Sequence, residues 1–442
     1  MRRPLLPLLP LLSLLSLLPF PLSAQDSARV ESGVRVGITY TPGVRPGLLV
    51  LGGPHDVRLD SVRAVLARDL DYSDRFELIS LPAGDSLGLG LGNGAGPDFV
   101  NYPLYAALGA DWAVVAESAG DALVRVRVFD VGGRAVRGEV TIGTADIGDA
   151  NFRLLVHRAS DEIVRAVAGT PGVAATRMLL LQRGRLYTVD SDGAGLTAVS
   201  PAGGQALSSA WAPRGERIVY MQFAELGGAR LWILDPVTGE RRPVGGTTDG
   251  LNFAPTFSPD GARLAFSRAG DDGTDIYVWG NQRDCCLQRL TVGRFSDNLS
   301  STYSPDGRRI AFVSTRAGLP QIYVMEADGT GQELFAPFDY GVTGSSNAPD
   351  WSPDGQNIAF HRDVAGSPQV FVMDVRTRTV RQLTSLGRNE DPTWAPDGRH
   401  LAFVSDRTGN RQIWIIDLDT GRVRQLTRLG EARLPAWSPR IE

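Results

Sequence analysis

The sequence predicts a mainly β chain: a six-bladed β-propeller preceded by a small α+β domain. Three observations predict it. A five-residue word recurs along the second half, as Phe257-Ser258-Pro259-Asp260-Gly261, Tyr303-Ser304-Pro305-Asp306-Gly307, Trp351-Ser352-Pro353-Asp354-Gly355 and Trp394-Ala395-Pro396-Asp397-Gly398. Looser copies stand at Trp211-Ala212-Pro213-Arg214-Gly215 and Trp437-Ser438-Pro439, so the aromatic residues lie 43 to 48 residues apart. Self-similarity at such a period marks one supersecondary unit per repeat. The strands after each word are apolar on both faces, which requires cover on both sides. The sixth copy stops short, while residues 177–200 supply matching strands upstream of the first full repeat.

The word itself is turn chemistry. Ser, Pro and Asp suit a type I turn, and Gly follows where a left-handed backbone is wanted. The aromatic residue ends the first strand. Leu264-Ala265-Phe266, Ile310-Ala311-Phe312-Val313, Ile358-Ala359-Phe360 and Leu401-Ala402-Phe403-Val404 form second strands. Ile276 to Trp279, Ile322 to Met325, Val370 to Met373 and Ile413 to Ile416 form third strands. Weaker fourth strands carry Leu290-Thr291, Leu383-Thr384 and Leu426-Thr427. A β-sandwich rarely repeats one word at a fixed step, whereas a propeller blade is covered by its neighbours. The C-terminal strand is expected to pair with residues 177–200 and close the ring without a free edge.

Residues 25–170 carry no repeat word and read as α/β. Val34 to Tyr40 alternates as a strand, Asp60 or Ser61 caps a helix through Leu70, and Phe76 to Ile79 is a strand. Gly84 to Gly96 is loop, without the Lys-Ser/Thr of a phosphate cradle. Tyr102 to Leu108 suits a short helix; Trp112 to Val115 and Leu123 to Phe129 are strands, the second with Val124, Val126 and Val128 on one face. A longer helix runs from about Asn151 to Val167, stopped by Gly169. The propeller then occupies 171–442.

Residues 1–24 read as a cleavable export signal: Arg2 and Arg3, an apolar Leu5 to Leu22, and Ser23-Ala24 before Gln25. Pro7, Pro10, Pro19 and Pro21 argue against a membrane span. No cysteine follows the site, so a lipid anchor is not expected. An exported, soluble and monomeric mature protein is the expectation. The chain has 442 residues, 43% hydrophobic and 21% charged, with net charge −4, which argues against nucleic acid as a partner. The two cysteines, Cys285 and Cys286, are adjacent, and a vicinal disulfide and two thiols on opposite strand faces are both open.

No enzyme constellation emerges. His55, His157, His361 and His400 lack zinc spacing, and no Gly-x-Ser-x-Gly elbow occurs. Asp271-Asp272-Gly273-Thr274-Asp275 lacks the glutamate of a helix–loop–helix calcium site. No catalytic, cofactor or metal residue is assigned, although loop oxygens could hold a cation in the channel. Recognition is placed instead on the loops that enter each innermost strand and ring the channel mouth. They mix Asn, Ser and acids with single apolar residues. The candidate partner-binding set is Leu251, Asn252, Phe253, Ala254, Asp297, Asn298, Leu299, Asn347, Asn389, Glu390 and Arg433.

The repeats Tyr303 to Ser314 and Gln321 to Met325, the closing Leu434-Pro435-Ala436-Trp437-Ser438-Pro439, and the strings Leu70 to Ile79, Tyr102 to Val115 and Arg153 to Val167 resemble the TolB family, periplasmic components of the Tol–Pal cell-envelope system. The resemblance implies a non-catalytic adaptor in outer-membrane integrity and envelope constriction. It implies binding of the peptidoglycan-associated lipoprotein, Pal, at Leu251 to Ala254 and Asp297 to Leu299. It also implies an N-terminal switch segment that contacts a TolA-like inner-membrane protein, here Gln25, Asp26, Ser27, Ala28, Arg29, Val30, Glu31 and Ser32. Other exported propellers that bind glycans or envelope ligands, or that serve a peptidase, are the alternative. The chain departs from the family pattern at Arg214, at the histidine-free loop Leu251-Asn252-Phe253, and in the 84–96 insert.

Overall fold

A computed structural model describes residues 45–52, 56–80, 100–144, 146–149, 151–223, 228–247, 250–280, 285–338 and 344–441. The signal segment, the switch stretch Gln25 to Ser32, the strand Val34 to Tyr40, His55 and the glycine-rich stretch 84–96 lie outside the described residues.

Strand Gly47–Leu51 runs parallel to Glu77–Leu78 on one side and to Trp112–Gly120 on the other. Leu123–Asp130 and Ala135–Gly143 extend this sheet antiparallel. The pleat sends successive side chains to opposite faces. Leu48, Val114, Val124, Val126 and Val128 therefore meet helices Val57–Tyr72 and Phe152–Ala168, while Leu49 and Ala113 meet Tyr105 of helix Tyr102–Ala107. The first helix begins a turn before the expected Asp60 or Ser61. Asp56, in an extended conformation, is its cap, with Oδ1 accepting the Leu59 N–H at 2.9 Å. The apolar face starts at Leu59, so the helix must already be turning there. Gly169, at φ 78°, ends the long helix and directs its N–H to the Arg165 carbonyl.

Residues 177–437 form six four-stranded antiparallel blades. The first runs Ala206–Trp211, Ile218–Phe223, Ala229–Leu234 and Arg241–Pro243, and four more follow in the same order. In the sixth, the C-terminal strand Arg433–Trp437 is innermost and pairs antiparallel with Arg177–Gln182, matching Arg433 to Leu181 and Trp437 to Met178. Arg185–Asp190 and Thr197–Ala198 complete that blade. The fold class is the one the sequence predicts. Phe266, Phe312, Phe360 and Phe403 occupy the same place in four successive blades and are fully buried.

The repeated word has a second use besides the turn. Ser258 Oγ donates to Asp260 Oδ1 at 2.6 Å and accepts the Arg263 N–H at 2.9 Å, which closes the hairpin locally. Gly261 sits at φ 69°, a left-handed conformation. A Cβ there would stand 3.7 Å from Pro213; on Gly307 it would stand 3.7 Å from Pro259, and on Gly355 3.2 Å from Pro305. On Gly215 it would stand 3.5 Å from Pro439. Each of these four glycines thus rests on the proline of the neighbouring blade's word, including across the point where the last blade meets the first, whereas Gly398 meets Asp354 instead.

The Leu-Thr pairs lie just beyond the fourth strands, not within them. The hydroxyls of Thr291, Thr384 and Thr427 accept the N–H groups of Ile276, Val370 and Ile413, each at 2.9 Å. A threonine at that point stands in for the ladder carbonyl that the short outer strand no longer provides.

Candidate functional site: the channel and its mouth

Each innermost strand breaks register three residues before its aromatic. Pairing jumps from Phe253 to Thr256, Leu299 to Thr302, Asn347 to Asp350, Glu390 to Thr393 and Arg433 to Ala436, with the matching irregularity opposite Tyr220 and Met221 in the first blade. The residue at each break is non-glycine and left-handed: Ser208 (φ 28°), Ala254 (48°), Ser300 (54°), Ala348 (49°), Asp391 (52°) and Leu434 (48°). Such a conformation costs on the order of 1 kcal/mol per residue. All six line one central cavity of about 400 Å³. Inter-blade bonds hold several of them: Ala254 N to Ser208 Oγ at 3.0 Å, Ser300 N to Ser267 Oγ at 3.2 Å and Asp391 N to His361 Nδ1 at 3.2 Å. The channel wall is therefore a sixfold set of bulges, a device that re-aims a strand and its side chains.

Two of the lining residues are charged, Asp350 and Asp391. Burial pushes the Asp350 carboxyl up to about 6, against the Trp394 N–H at 2.8 Å and the Thr302 hydroxyl at 3.4 Å. Burial likewise raises Asp391, opposed by His361, whose Nδ1 lies 3.9 Å away. His361 is lowered by its own burial, with Asp391 pulling the other way. These two carboxylates are the groups that a cation in the channel would meet.

The sequence-derived mouth residues divide into two groups. Asn252, Asn298 and Asn389 are fully buried, so the expectation that they face a partner is corrected. Their amides tether the loops from inside. Asn252 Nδ2 donates to the carbonyls of Ala229 and Thr247 at 3.1 and 3.3 Å, and Asn298 Nδ2 to Asp275 Oδ1 at 3.1 Å. Asn389 Nδ2 donates to Gln369 Oε1 at 2.7 Å and its Oδ1 accepts Arg407 at 2.9 Å. A primary amide offers donors and an acceptor together, which suits a buried tether. Leu251, Phe253, Ala254, Asp297, Leu299, Asn347 and Glu390 are half-buried, and Arg433 is exposed beside Glu431. Phe253 and Leu299 also pack on the blade cores, so each serves the fold as well as the surface.

Sequence reasoning missed the most exposed apolar residues of this face. Phe295 is 89% exposed, left-handed at φ 57°, and Val292 is 76% exposed three residues earlier. Their loop is rigidly held. The buried Asp275 accepts Thr291 Oγ1 at 2.7 Å, Gly293 N at 3.1 Å and Asn298 Nδ2 at 3.1 Å, and pairs with Arg289. The Phe295 N–H donates to the Asp272 carbonyl at 2.7 Å. An aromatic in a Gly-Arg-Phe-Ser-Asp turn, outside any strand pattern, was the available signal. Asp275, one of the acids in the cluster considered for calcium, is thus spent on this scaffold. Cys286 is disulfide-bonded and left-handed at φ 67° in the outer strand of the same blade.

One cluster among the described residues has metal-like spacing: Asp69, His157 and Asp192, all buried. Most of its ligand atoms are already engaged, Asp69 Oδ1 and His157 Nε2 being the exceptions. Asp192 accepts Arg68 at 3.0 Å, Ala194 N at 3.0 Å and also Arg153, while Asp69 Oδ2 accepts the Ser160 hydroxyl at 2.6 Å and meets His157 Nδ1 at 2.8 Å. Two guanidinium groups already neutralise this cluster, which makes it an ion-pair network between the domain and the ring.

Among known proteins, a model described as the TolB β-propeller domain matches residues 165–337 and 340–442. The chain belongs to this TolB β-propeller family. It is 36% identical over 186 residues to the Tol-Pal system protein TolB of Anaeromyxobacter dehalogenans (strain 2CP-C), covering 40% of this chain and 42% of that protein. It is 33% identical over 144 residues to the protein of the same name from Anaeromyxobacter sp. (strain K), covering 32% of each. These alignments span about two-fifths and one-third of the curated relatives. The crystal structure of TolB from Acinetobacter baumannii matches at a TM-score of 0.76 and 24% identity, covering 90% of this chain and 98% of that one. At that identity the likeness is one of fold. Among the described residues no helix is long and apolar enough to cross a membrane.

Proposed function

We propose that this chain is a non-catalytic periplasmic adaptor of the Tol–Pal system, which binds the peptidoglycan-associated lipoprotein at the channel mouth and supports outer-membrane integrity and envelope constriction. Family membership and the relatives' name, Tol-Pal system protein TolB, support the setting. The observation that carries the binding reading is the mouth surface. A rigid loop holds Val292 and Phe295 in water, beside the half-buried Asp297 and Leu299. Large apolar side chains held out on an ordered scaffold lose little entropy on docking. The three buried asparagines act as tethers that fix the loops. A TolA-like inner-membrane protein is the proposed partner of the segment Gln25 to Ser32.

The test is capture from an envelope extract with the full chain as bait. Wild type is expected to retain the lipoprotein and Phe295→Ala to lose most of it. Absence of the lipoprotein from the wild-type eluate would refute the role. Equal capture by both would refute the site.

A further inference from the structure

The joint between the N-terminal domain and the ring is built mainly from charge. The end of helix Val57–Tyr72 and the turn after it bring Asp69, Asp71, Tyr72 and Asp74 against blades five and six. Arg422 holds Asp71 at 2.8 Å and Asp74 at 2.9 Å. Arg399 donates to the Asp74 carbonyl at 3.0 Å. Arg424 lies 4.1 Å over the Tyr72 ring. Two histidines stand within this set, one on each side.

His400 belongs to the ring and is 1% exposed. Its Nδ1 meets Asp397 Oδ2 of its own turn at 2.7 Å, and its Nε2 meets Asp74 Oδ2 of the N-terminal domain at 3.2 Å. Asp417 faces it from the next strand. Asp417 is paired with Arg399, and Arg399 also meets Asp419 at 3.0 Å. The groups around His400 are therefore five carboxylates, of Asp71, Asp74, Asp397, Asp417 and Asp419, against three guanidinium groups, of Arg399, Arg422 and Arg424. His157 is the counterpart in the N-terminal domain, 2% exposed. Its Nδ1 meets Asp69 Oδ2 at 2.8 Å, and its Nε2 points toward Asp190 Oδ2 of blade six, 4.0 Å away. Asp192, Arg68, Arg153 and Arg177 complete that cluster, and Arg424 and Asp161 face Asp69 across a cavity of about 10 Å³.

We propose that His157 and His400 clasp the two domains together as imidazolium ions, each placed between a carboxylate of one domain and a carboxylate of the other, so that the joint is closed only while both are protonated. A neutral imidazole carries one N–H and leaves one of its two carboxylates facing a lone pair. In a buried site that is a repulsive contact, which the guanidinium groups beside Asp74 and Asp190 offset only in part. At His400 an imidazolium donates to both sides and adds positive charge to a cluster rich in carboxylates, whereas at His157 the contact with Asp190, 4.0 Å from a nitrogen without a hydrogen-bond partner, is an attraction of charges alone.

The titration follows the geometry. Burial works against the charged form of His400, but the Asp397 charge and hydrogen bond, with the Asp74 bond, raise it to about 9. His157 is also raised, against its burial, by its bond to Asp69 and by the Asp69, Asp192 and Asp190 charges. Both shifts are upward. The contribution to stability is thus complete below the ordinary histidine value of about 6.5 and is lost as pH rises through the folded-state value, about 9 for His400. The clasp is shut at neutral pH and opens in alkali, with the domains separating at the joint while the blades stay intact.

The experiment is a proton NMR titration of the histidine imidazoles in the full chain, assigned with His157→Gln and His400→Gln. Amide hydrogen exchange is measured alongside at pH 7 and 9.5, corrected for intrinsic chemistry. The His400 imidazole is expected to titrate near pH 9 and the His157 imidazole above the ordinary histidine value. Exchange at Leu70 to Asp74 is expected to rise at least tenfold at pH 9.5, while blade strands such as Ile310 to Phe312 stay protected. In His400→Gln the joint is expected to exchange fast already at pH 7 and to change little further. Imidazoles that titrate below pH 7, or corrected exchange at the joint that is indifferent to pH, would overturn the proposal, and wild type alone suffices for both readings. Stoichiometric zinc uptake that removes the His157 titration would overturn it as well.

Discussion

Trp437 donates its indole N–H to Thr176 Oγ1 at 2.8 Å, joining residues 261 positions apart in the chain. The bond lies where the C-terminal strand meets the first strand of the ring. Trp437 packs there with Met178, Leu180 and Ile415. Trp437→Ala removes a buried aromatic and is expected to cost about 3–5 kcal/mol. Trp437→Phe keeps most of the packing and loses the hydrogen bond, for about 1 kcal/mol. Thermal unfolding of both variants checks this. Equal, small losses would show that the ring does not depend on this closure.

The proline–glycine contact between neighbouring blades predicts an order of cost. Gly307 and Gly355 are both left-handed, at φ 71° and 76°, so alanine at either is strained by about 1 kcal/mol. The new Cβ would meet Pro259 at 3.7 Å in the first case, an ordinary contact, and Pro305 at 3.2 Å in the second, a crowded one. Gly355→Ala is expected to be the more destabilising in chemical denaturation. The reverse order would contradict the contact.

These tests bear on what the sequence could reveal. The turn words, the apolar middle strands and their period were legible because each is a local pattern repeated several times. Helix caps were less so: Asp56, Asp60 and Ser61 all have the right chemistry, and only the onset of the apolar face at Leu59 selects Asp56. The mouth was legible as a region but not residue by residue. Asn298 and Phe295 sit three residues apart in one loop; the polar one is buried and the aromatic one is in water. A polar residue is an inward tether when neighbouring strands leave backbone and carboxylate groups to satisfy, and those partners come from distant positions such as Asp275 and Ser314. The left-handed ring from Ser208 to Leu434 was hidden as well, because residues as unlike as Ala254, Asp391 and Leu434 share it. Backbone geometry imposed by closing the ring overrides residue preference there.

The channel carboxylate Asp350 gives a pH prediction with a definite sign. Its folded-state value, about 6, lies above the ordinary 3.8 because burial disfavours the charge. An acid raised in this way stabilises the fold at low pH, and that contribution is lost as pH rises from about 4 through about 6. Asp350→Asn removes the charge and keeps an oxygen for the Trp394 N–H. The variant is expected to match wild type near pH 3.5 and to be more stable at pH 8, by on the order of 1 kcal/mol given partial solvent screening in the channel. Calorimetry at the two pH values reads the difference directly. A variant less stable at pH 8 than wild type would mean that the carboxylate earns its place as an anion.

Phe295 separates the binding surface from the scaffold beneath it. It packs in no blade core, so Phe295→Ala is expected to shift the melting temperature by less than the error of the measurement; exposed substitutions usually lie within about 0.5 kcal/mol. Phe253→Ala and Leu299→Ala reach the cores and are expected to lower it by several degrees. If the mouth binds the lipoprotein through this face, Phe295→Ala should weaken binding at least tenfold in calorimetric titration, the scale of a buried aromatic anchor. Asn298→Ala should act differently. It leaves Asp275, Ser314 and Arg316 without a shared partner, so loop order and binding should fall together, with a lower melting temperature. Binding lost in Asn298→Ala but kept in Phe295→Ala would move the contact surface elsewhere on the mouth while leaving the tether intact as a structural fact.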